Sequence, residues 1–257
     1  MLTKKIDSRK QIAVVFVILT LGTTLGFSQE VFKLPKNLGT NSTENFNSAY
    51  FQSAIRSGKS LGALAKENTF AGNPATSFGF AAKSEEAKFF IIGSLYSESL
   101  ACLKSSDPDL AAKRMEAMQQ EFINLLAPSS LFNYTSRTLN ILKTKRYSTE
   151  AQLEFLSLFQ PFFEDYAKTK GEDKLTLFRA GSWMMDMGLA AAAGDKGMLK
   201  QPEKLGYFTR EMKRMDAPQG VLDALDDIGK ITVKKDITDK EAQEVLDLVK
   251  KIQTILG

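Results

Sequence analysis

Histidine is absent from the 257 residues of this sequence. Because histidine is the usual ligand of zinc and haem iron and the usual proton carrier near neutral pH, its absence excludes most metal centres and the Ser-His-Asp and Cys-His mechanisms. The acidic set Asp223, Asp226 and Asp227 lacks the alternating spacing of a calcium loop. We therefore predict no catalytic residue of these classes, no metal site and no cofactor.

Cysteine occurs once, as Cys102, so no disulfide can form within the chain. The neighbouring residues 100–103 are apolar and helical in pattern, which favours a buried thiol over a reactive or intermolecularly bonded one. Strand signals are also scarce, because only residues 230–237 alternate with a period of two. The fold must therefore depend on an apolar helical core.

The first residues have the order of a secretory leader, with basic side chains between residues 4 and 10 and an uncharged apolar run at 12–27. This run is shorter than the roughly 20 residues of a membrane-spanning helix. We predict a signal peptide at residues 1–28, cleaved before Gln29, and an exported protein that is periplasmic or secreted. The alternative is an uncleaved N-terminal anchor. A bacterial lipoprotein terminus is excluded, because no cysteine follows the run.

The charge of the chain is concentrated in this leader. The sequence has 34 basic and 30 acidic residues, and residues 1–28 contain four of the former and one of the latter. The remainder is nearly neutral and lacks the positive field that nucleic acids or anionic membranes require. We therefore exclude nucleic acid as a partner and expect membrane contact only through an uncleaved leader.

Apolar residues recur at helical spacing through most of the remaining sequence. This periodicity predicts an all-α fold, a multi-helix bundle of about seven to nine helices after the signal peptide. The predicted organisation is a polar linker at 29–44, an N-terminal helical bundle at 45–194 and a C-terminal helical part at 195–257, unless the last two form one domain.

Capping residues indicate where several helices begin. Ser84 is a predicted N-cap, as is Asp107, which precedes Pro108 at the first helical position. Thr149 and Thr238 are each followed after three residues by Gln or Glu, so each is predicted to open a helix with a capping box.

Three further patterns receive ordinary structural interpretations. Residues 53–60 end in Gly-Lys-Ser but lack the first glycine of a phosphate-binding loop, so we interpret them as a link between helices. Residues 68–83 contain three phenylalanines among glycine and proline, and we predict a loop that folds over the core, with a lid or a partner-binding edge as the alternatives. Segments 121–132 and 154–165 resemble each other at a spacing of 33, but no third copy follows, so we interpret this likeness as coincidental.

Residues 181–198 contain the only tryptophan, four methionines and a run of alanines. A helix that is apolar on all sides is buried, so we predict a central core helix here. The alternative is a cavity for an apolar ligand, because methionine-rich linings suit adaptable binding surfaces. The candidate ligand-binding residues are Trp183, Met184, Asp186 and Met187.

Asp186 is the one charged residue in the middle of this helix. A buried carboxylate must be paired or have a raised pKa. We expect a salt bridge from Arg179, Arg210 or Arg214, and the alternative is a ligand-binding or general-acid role.

No catalytic motif is present, so an enzymatic function is uncertain and disfavoured. The sequence favours an exported helical protein that acts through contacts with a protein partner. The first alternative is a carrier of an apolar small molecule in a cavity lined by methionine and phenylalanine. The second is a carboxylate-based enzyme, which would need two carboxylates in one cleft.

Overall fold

A computed structural model describes residues 84–144 and 146–256, and helices account for 83% of them. The helices are α1 Glu85–Lys104, α2 Pro108–Asn124, α3 Ser129–Thr144, α4 Thr149–Ser157, α5 Gln160–Lys170, α6 Glu172–Ala192, α7 Lys196–Leu199, α8 Pro202–Arg214, α9 Gln219–Thr232 and α10 Asp239–Leu256. No strand occurs among the described residues, and residues 230–237 instead form the end of α9 and the turn after it. The predicted all-α helical bundle is confirmed.

The predictions for the signal peptide, the polar linker, the Gly-Lys-Ser segment and the phenylalanine-rich loop lie outside the described residues. The proposed division at residues 194 and 195 stays a prediction. α5 and α10, which lie on opposite sides of that division in the sequence, both pack against α6. No helix in the described ranges is long and apolar enough to span a membrane.

Local side-chain hydrogen bonds cap five of the ten helix starts in the described ranges. The Ser84 hydroxyl accepts the backbone N–H of Ala87 at 3.0 Å, and the Asp107 carboxylate accepts that of Leu110 at 3.0 Å, as predicted. The predicted cap at Thr149 is wrong by one residue. The Ser148 hydroxyl caps α4 instead, because the chain is still extended at that residue.

The capping box of the last helix is confirmed. The Thr238 hydroxyl accepts the Glu241 backbone N–H at 3.2 Å, while the Glu241 carboxylate accepts the Thr238 backbone N–H at 2.8 Å. This reciprocal pair satisfies two N–H groups that have no partner within the helix.

α1 and α6 form the centre of the molecule, because both are buried over nearly their whole circumference. They run in the same direction, since the contacts advance together from Glu86 with Lys174 to Ser97 with Asp186. The backbones approach closely where Gly93 faces α6, and the Ser94 hydroxyl donates a hydrogen bond to a backbone oxygen of α6 at 3.1 Å. Most of the remaining helices pack against this parallel pair, whereas α3 packs mainly against α2 and α4, and α9 against α8 and α10.

Aromatic side chains fill one side of the central pair. Tyr96 on α1 packs edge-on to Phe163 on α5, with 5.6 Å between ring centroids, and Phe163 also contacts Phe122 and Phe178. The chain that carries Phe163 is interrupted as a helix before Pro161, because proline has no N–H to donate the hydrogen bond that would continue α4 into α5.

The predicted burial of Cys102 is confirmed. Burial raises the pKa of its thiol to about 12, with a further contribution from the negative charge of Glu98. The thiol is therefore protonated near neutral pH and unreactive.

Candidate functional site around Asp186

The segment with the predicted site residues lies in the middle of α6, and its side chains are buried from Ala180 to Ala191. The predicted central core helix is confirmed. The Trp183 ring stacks on Phe208 of α8 at a centroid distance of 4.8 Å, and its indole N–H donates to the Gln201 Oε1 at 3.2 Å. The Gln201 amide group also donates to the Met187 sulfur at 3.7 Å. Gln201 thus connects two of the predicted residues, while the binding role assigned to them stays a prediction.

Asp186 is almost fully buried, with 2% of its surface exposed. The Ser97 hydroxyl on α1 donates a hydrogen bond to its Oδ1 at 2.5 Å. Burial raises the pKa of the Asp186 carboxyl to about 7, although the Ser97 hydrogen bond and the positive charges of Lys204 and Lys104 act in the opposite direction. This carboxyl can therefore gain or lose a proton near neutral pH.

The salt bridge that we expected for Asp186 is wrong for two of the three arginines considered. Arg179 lies two turns earlier on α6 and binds Glu164 of α5, with its Nη2 at 2.6 Å from the Glu164 Oε2. Arg214 pairs with Glu211 within α8, and the third candidate, Arg210, is exposed on the surface. Arg179 and Arg214 are thus paired with other carboxylates, and the Ser97 hydroxyl is the hydrogen-bond partner of Asp186.

Lys204 on α8 was not identified from the sequence. It is buried with 4% exposure, and burial lowers the pKa of its ammonium group while the charge of Asp186 raises it. Burial thus disfavours the charged forms of both Asp186 and Lys204. The chemistry available to this arrangement is the binding and release of a proton inside the helical core.

A second buried acid, Glu98, directly follows Ser97 on α1. Glu98 forms an ion pair with Arg114 of α2, with 2.9 Å between the Arg114 Nε and the Glu98 Oε1, and both side chains are nearly inaccessible. This pair was not predicted from the sequence, because Arg114 falls within an otherwise ordinary amphipathic helix.

Replacing Glu98 with glutamine should destabilise the protein by roughly 3 kcal/mol at neutral pH, because it leaves the Arg114 charge buried without a counter-charge. The glutamine keeps the size of the side chain and one acceptor oxygen, which limits the loss. Urea unfolding of the purified chain measures the effect. Glu116→Gln, at an exposed ion pair with Lys143, is the control and should cost less than about 1 kcal/mol. Equal losses for the two variants would contradict a special role for the buried pair.

Among the described residues, no three Asp, Glu or Cys side chains come together as a metal-binding group. Within the described part of the chain, Lys204 and Lys104 are the charged groups whose positive charges lower the pKa of the Asp186 carboxyl.

A different kind of feature lies on the surface, where α2 turns into α3. Ile123, Leu126 and Phe132 are 46%, 89% and 40% exposed, and we call these three residues the apolar corner. Leu126 also has a backbone φ of 51°, in the left-handed region that leucine rarely adopts. This feature was not predicted, because the sequence alone does not show which leucine of the pair 125–126 faces solvent.

No protein family model matches this chain, and no match was found among curated proteins or among solved structures. A functional assignment must therefore be argued from the two features above.

Proposed function

We propose that the protein is exported and acts by binding a separate protein through the apolar corner. The single observation that carries this proposal is Leu126, which is the most exposed large apolar side chain in the described ranges. An exposed leucine gains no burial energy on folding, and its left-handed backbone costs about 1 kcal/mol or more. A contact with another molecule would bury this leucine together with the rest of the apolar corner and would offset the cost of its backbone conformation.

A second turn of the same geometry supports this interpretation. Asp216, between α8 and α9, has a φ of 53°. Aspartate tolerates the left-handed region better than leucine, so this residue is the expected choice for such a turn. Leucine at the first turn therefore reflects a requirement other than backbone geometry.

The residues around the corner have the character of a protein interface. The side-chain amides of Gln120 and Asn124 lie exposed beside it and hydrogen-bond to each other at 3.1 Å. The Lys88 ammonium group also donates to the Asn124 backbone oxygen at 3.5 Å, and an apolar centre with a polar rim is typical of protein contacts. Export itself is supported by the order of basic and apolar residues in the leader, and the carrier and carboxylate-enzyme alternatives stay predictions.

The experiment places a photo-reactive amino acid at position 123 in cells that produce the full chain. We expect one discrete cross-linked species that contains a different protein. Leu126→Asp should reduce its yield at least about tenfold, since a buried contact would lose more than about 1.4 kcal/mol. The fold should be unaffected, because aspartate already occupies the equivalent conformation at position 216.

The matched control has the same photo-reactive residue at Val233, which is 71% exposed and lies in the turn after α9. Equal cross-linking from both positions would show non-specific contact and would contradict the proposal. A species with twice the mass of the chain would indicate self-association and would also overturn it.

A further inference from the structure

The contact between α1 and α6 is reciprocal. A methyl group on Gly93 would lie 1.9 Å from the carbonyl oxygen of Phe178, and one on Gly181 would lie 1.9 Å from that of Phe90. In both helices the phenylalanine precedes the glycine by three residues, and a serine follows it. A two-fold axis produces this pattern. If residue i of one helix contacts residue j of the other, the counterpart of i also contacts the counterpart of j.

The ends of these two helices also correspond. The turn after α1 contains Ser106 with a φ of 62°, and the turn after α6 contains Gly194 with a φ of 67°. The next residue is aspartate in both, Asp107 and Asp195, and each carboxylate accepts the backbone N–H three residues later, at 3.0 and 3.2 Å. Corresponding residues are 88 positions apart.

The turns that follow α2 and α8 match in the same way. Leu126 and Asp216 are 90 positions apart, and each is followed by Ala-Pro. The N–H groups of Ala127 and Ala217 donate to the carbonyl five residues earlier, at 2.9 Å in both turns. Two extra residues between α7 and α8 account for the change in spacing from 88 to 90. With this allowance, α7 and α8 together correspond to α2.

The buried charged residues obey the same spacing. Asp186 lies 88 positions after Glu98, and Lys204 lies 90 positions after Arg114. All four are buried. Asp186 and Lys204 thus occupy the positions that correspond to Glu98 and Arg114, and the side chain of Asp186 is shorter than that of Glu98.

The remaining helices agree as well. Ser148 and Thr238, again 90 positions apart, cap α4 and α10. Four of the five buried positions of α3 have buried counterparts in α9 at this spacing, namely Leu131, Thr135, Thr138 and Leu142 with Val221, Leu225, Ile228 and Thr232, whereas Leu139 corresponds to the half-buried Gly229.

We infer that Ser84–Lys170 and Glu172–Leu256 are two diverged repeats of one helical unit, related by a pseudo-two-fold axis between α1 and α6, and that only the first repeat keeps the apolar corner. In the second repeat, Lys213 and Asp216 occupy the positions of Ile123 and Leu126. One chain therefore binds one partner protein instead of two. This count of partners rests on the proposed function, whereas the duplication does not.

The duplication is tested by rebuilding the charged pair of the first repeat in the second. Asp186→Glu and Lys204→Arg should each lower the melting temperature when made alone, because each puts a larger side chain into a buried site that fits the natural one. The double variant should recover at least about half of the summed loss, because the new pair can adopt the geometry of Glu98 and Arg114. The control is the same pair of substitutions at the exposed ion pair of Asp226 and Lys230, where the single and double variants should each shift the melting temperature by no more than about 2 °C, because exposed ion pairs contribute little to stability. A double variant at Asp186 and Lys204 whose loss equals or exceeds the sum would overturn the duplication.

The single corner is tested separately by cross-linking from the second repeat. A photo-reactive residue at position 213 should give no adduct in the natural background. Together with Asp216→Leu it should give an adduct of the same mass as that from position 123, because the second corner is restored. If position 123 gives a specific adduct and the restored corner gives none, the claim that the corners correspond fails while the proposed function stands. If position 123 itself gives none, the proposed function fails, and the charged-pair experiment still decides the duplication.

Discussion

Gly181→Ala is expected to destabilise the protein by more than about 3 kcal/mol, at or beyond the upper end of the usual cost of overpacking. The added methyl group would lie 1.9 Å from the carbonyl oxygen of Phe90, which belongs to the backbone of α1 and cannot rotate away. α1 and α6 would have to separate along the interface on which the whole core depends. Chemical denaturation of the purified chain measures the loss.

Gly206→Ala is the matched control, because it is also a helical glycine but its methyl group would meet only the end of the Arg210 side chain, at 3.7 Å. This variant should be stabilised by about 0.5 to 1 kcal/mol through the better helix propensity of alanine. A loss at Gly181 no larger than about 1 kcal/mol would show that the helices are not in such close contact.

Asp186→Asn is expected to remove a pH dependence of stability. Folding raises the pKa of the Asp186 carboxyl from an ordinary value near 3.8 to about 7, so between these values the folded state holds a proton that the unfolded state has released. The contribution of this group to stability is therefore lost as the pH rises through this interval, by roughly 4 kcal/mol in total. Asparagine carries no charge at any of these pH values and retains an oxygen that can accept from Ser97.

Unfolding free energies of the variant and the natural chain should therefore diverge from pH 4 to pH 8, with the variant gaining relative stability at the higher pH. Asp216→Asn, at an exposed position, is the control and should give a profile parallel to that of the natural chain. Parallel profiles for Asp186→Asn would mean that the buried carboxyl is not protonated at neutral pH.

Local sequence signals were sufficient for the helices and the centre of the core. The caps at Ser84 and Asp107 depend on residues within three positions of each other, so their pattern is visible in the sequence. The apolar circumference of α6 likewise predicts its burial. The predicted burial of Asp186 followed from the same reasoning.

The partner of Asp186 could not be predicted in this way. Ser97 lies 89 residues earlier and reaches Asp186 only because α1 and α6 are parallel neighbours. Of the three arginines considered, Arg179 was named because it lies on the same helix, yet a carboxylate from another helix binds it. Contacts between residues this far apart in the sequence leave no local pattern.

The duplication was missed for a related reason. The repeats share few identical residues, and what they share is geometry, such as the left-handed backbone at Leu126 and Asp216. The burial of corresponding residues and their φ angles make the correspondence visible. The likeness at a spacing of 33 is different, because segments 121–132 and 154–165 lie where α2 is followed by α3 and where α4 is followed by α5, within one repeat.

The parallel contact of α1 and α6 also fixes an order of events during synthesis. The residues of α6 that cover α1 follow about 88 positions later in the chain. At a typical elongation rate they are made roughly 4 to 18 s after α1. During this interval the apolar surface of α1 has no native partner from α6, and it is open to aggregation or to binding by a chaperone.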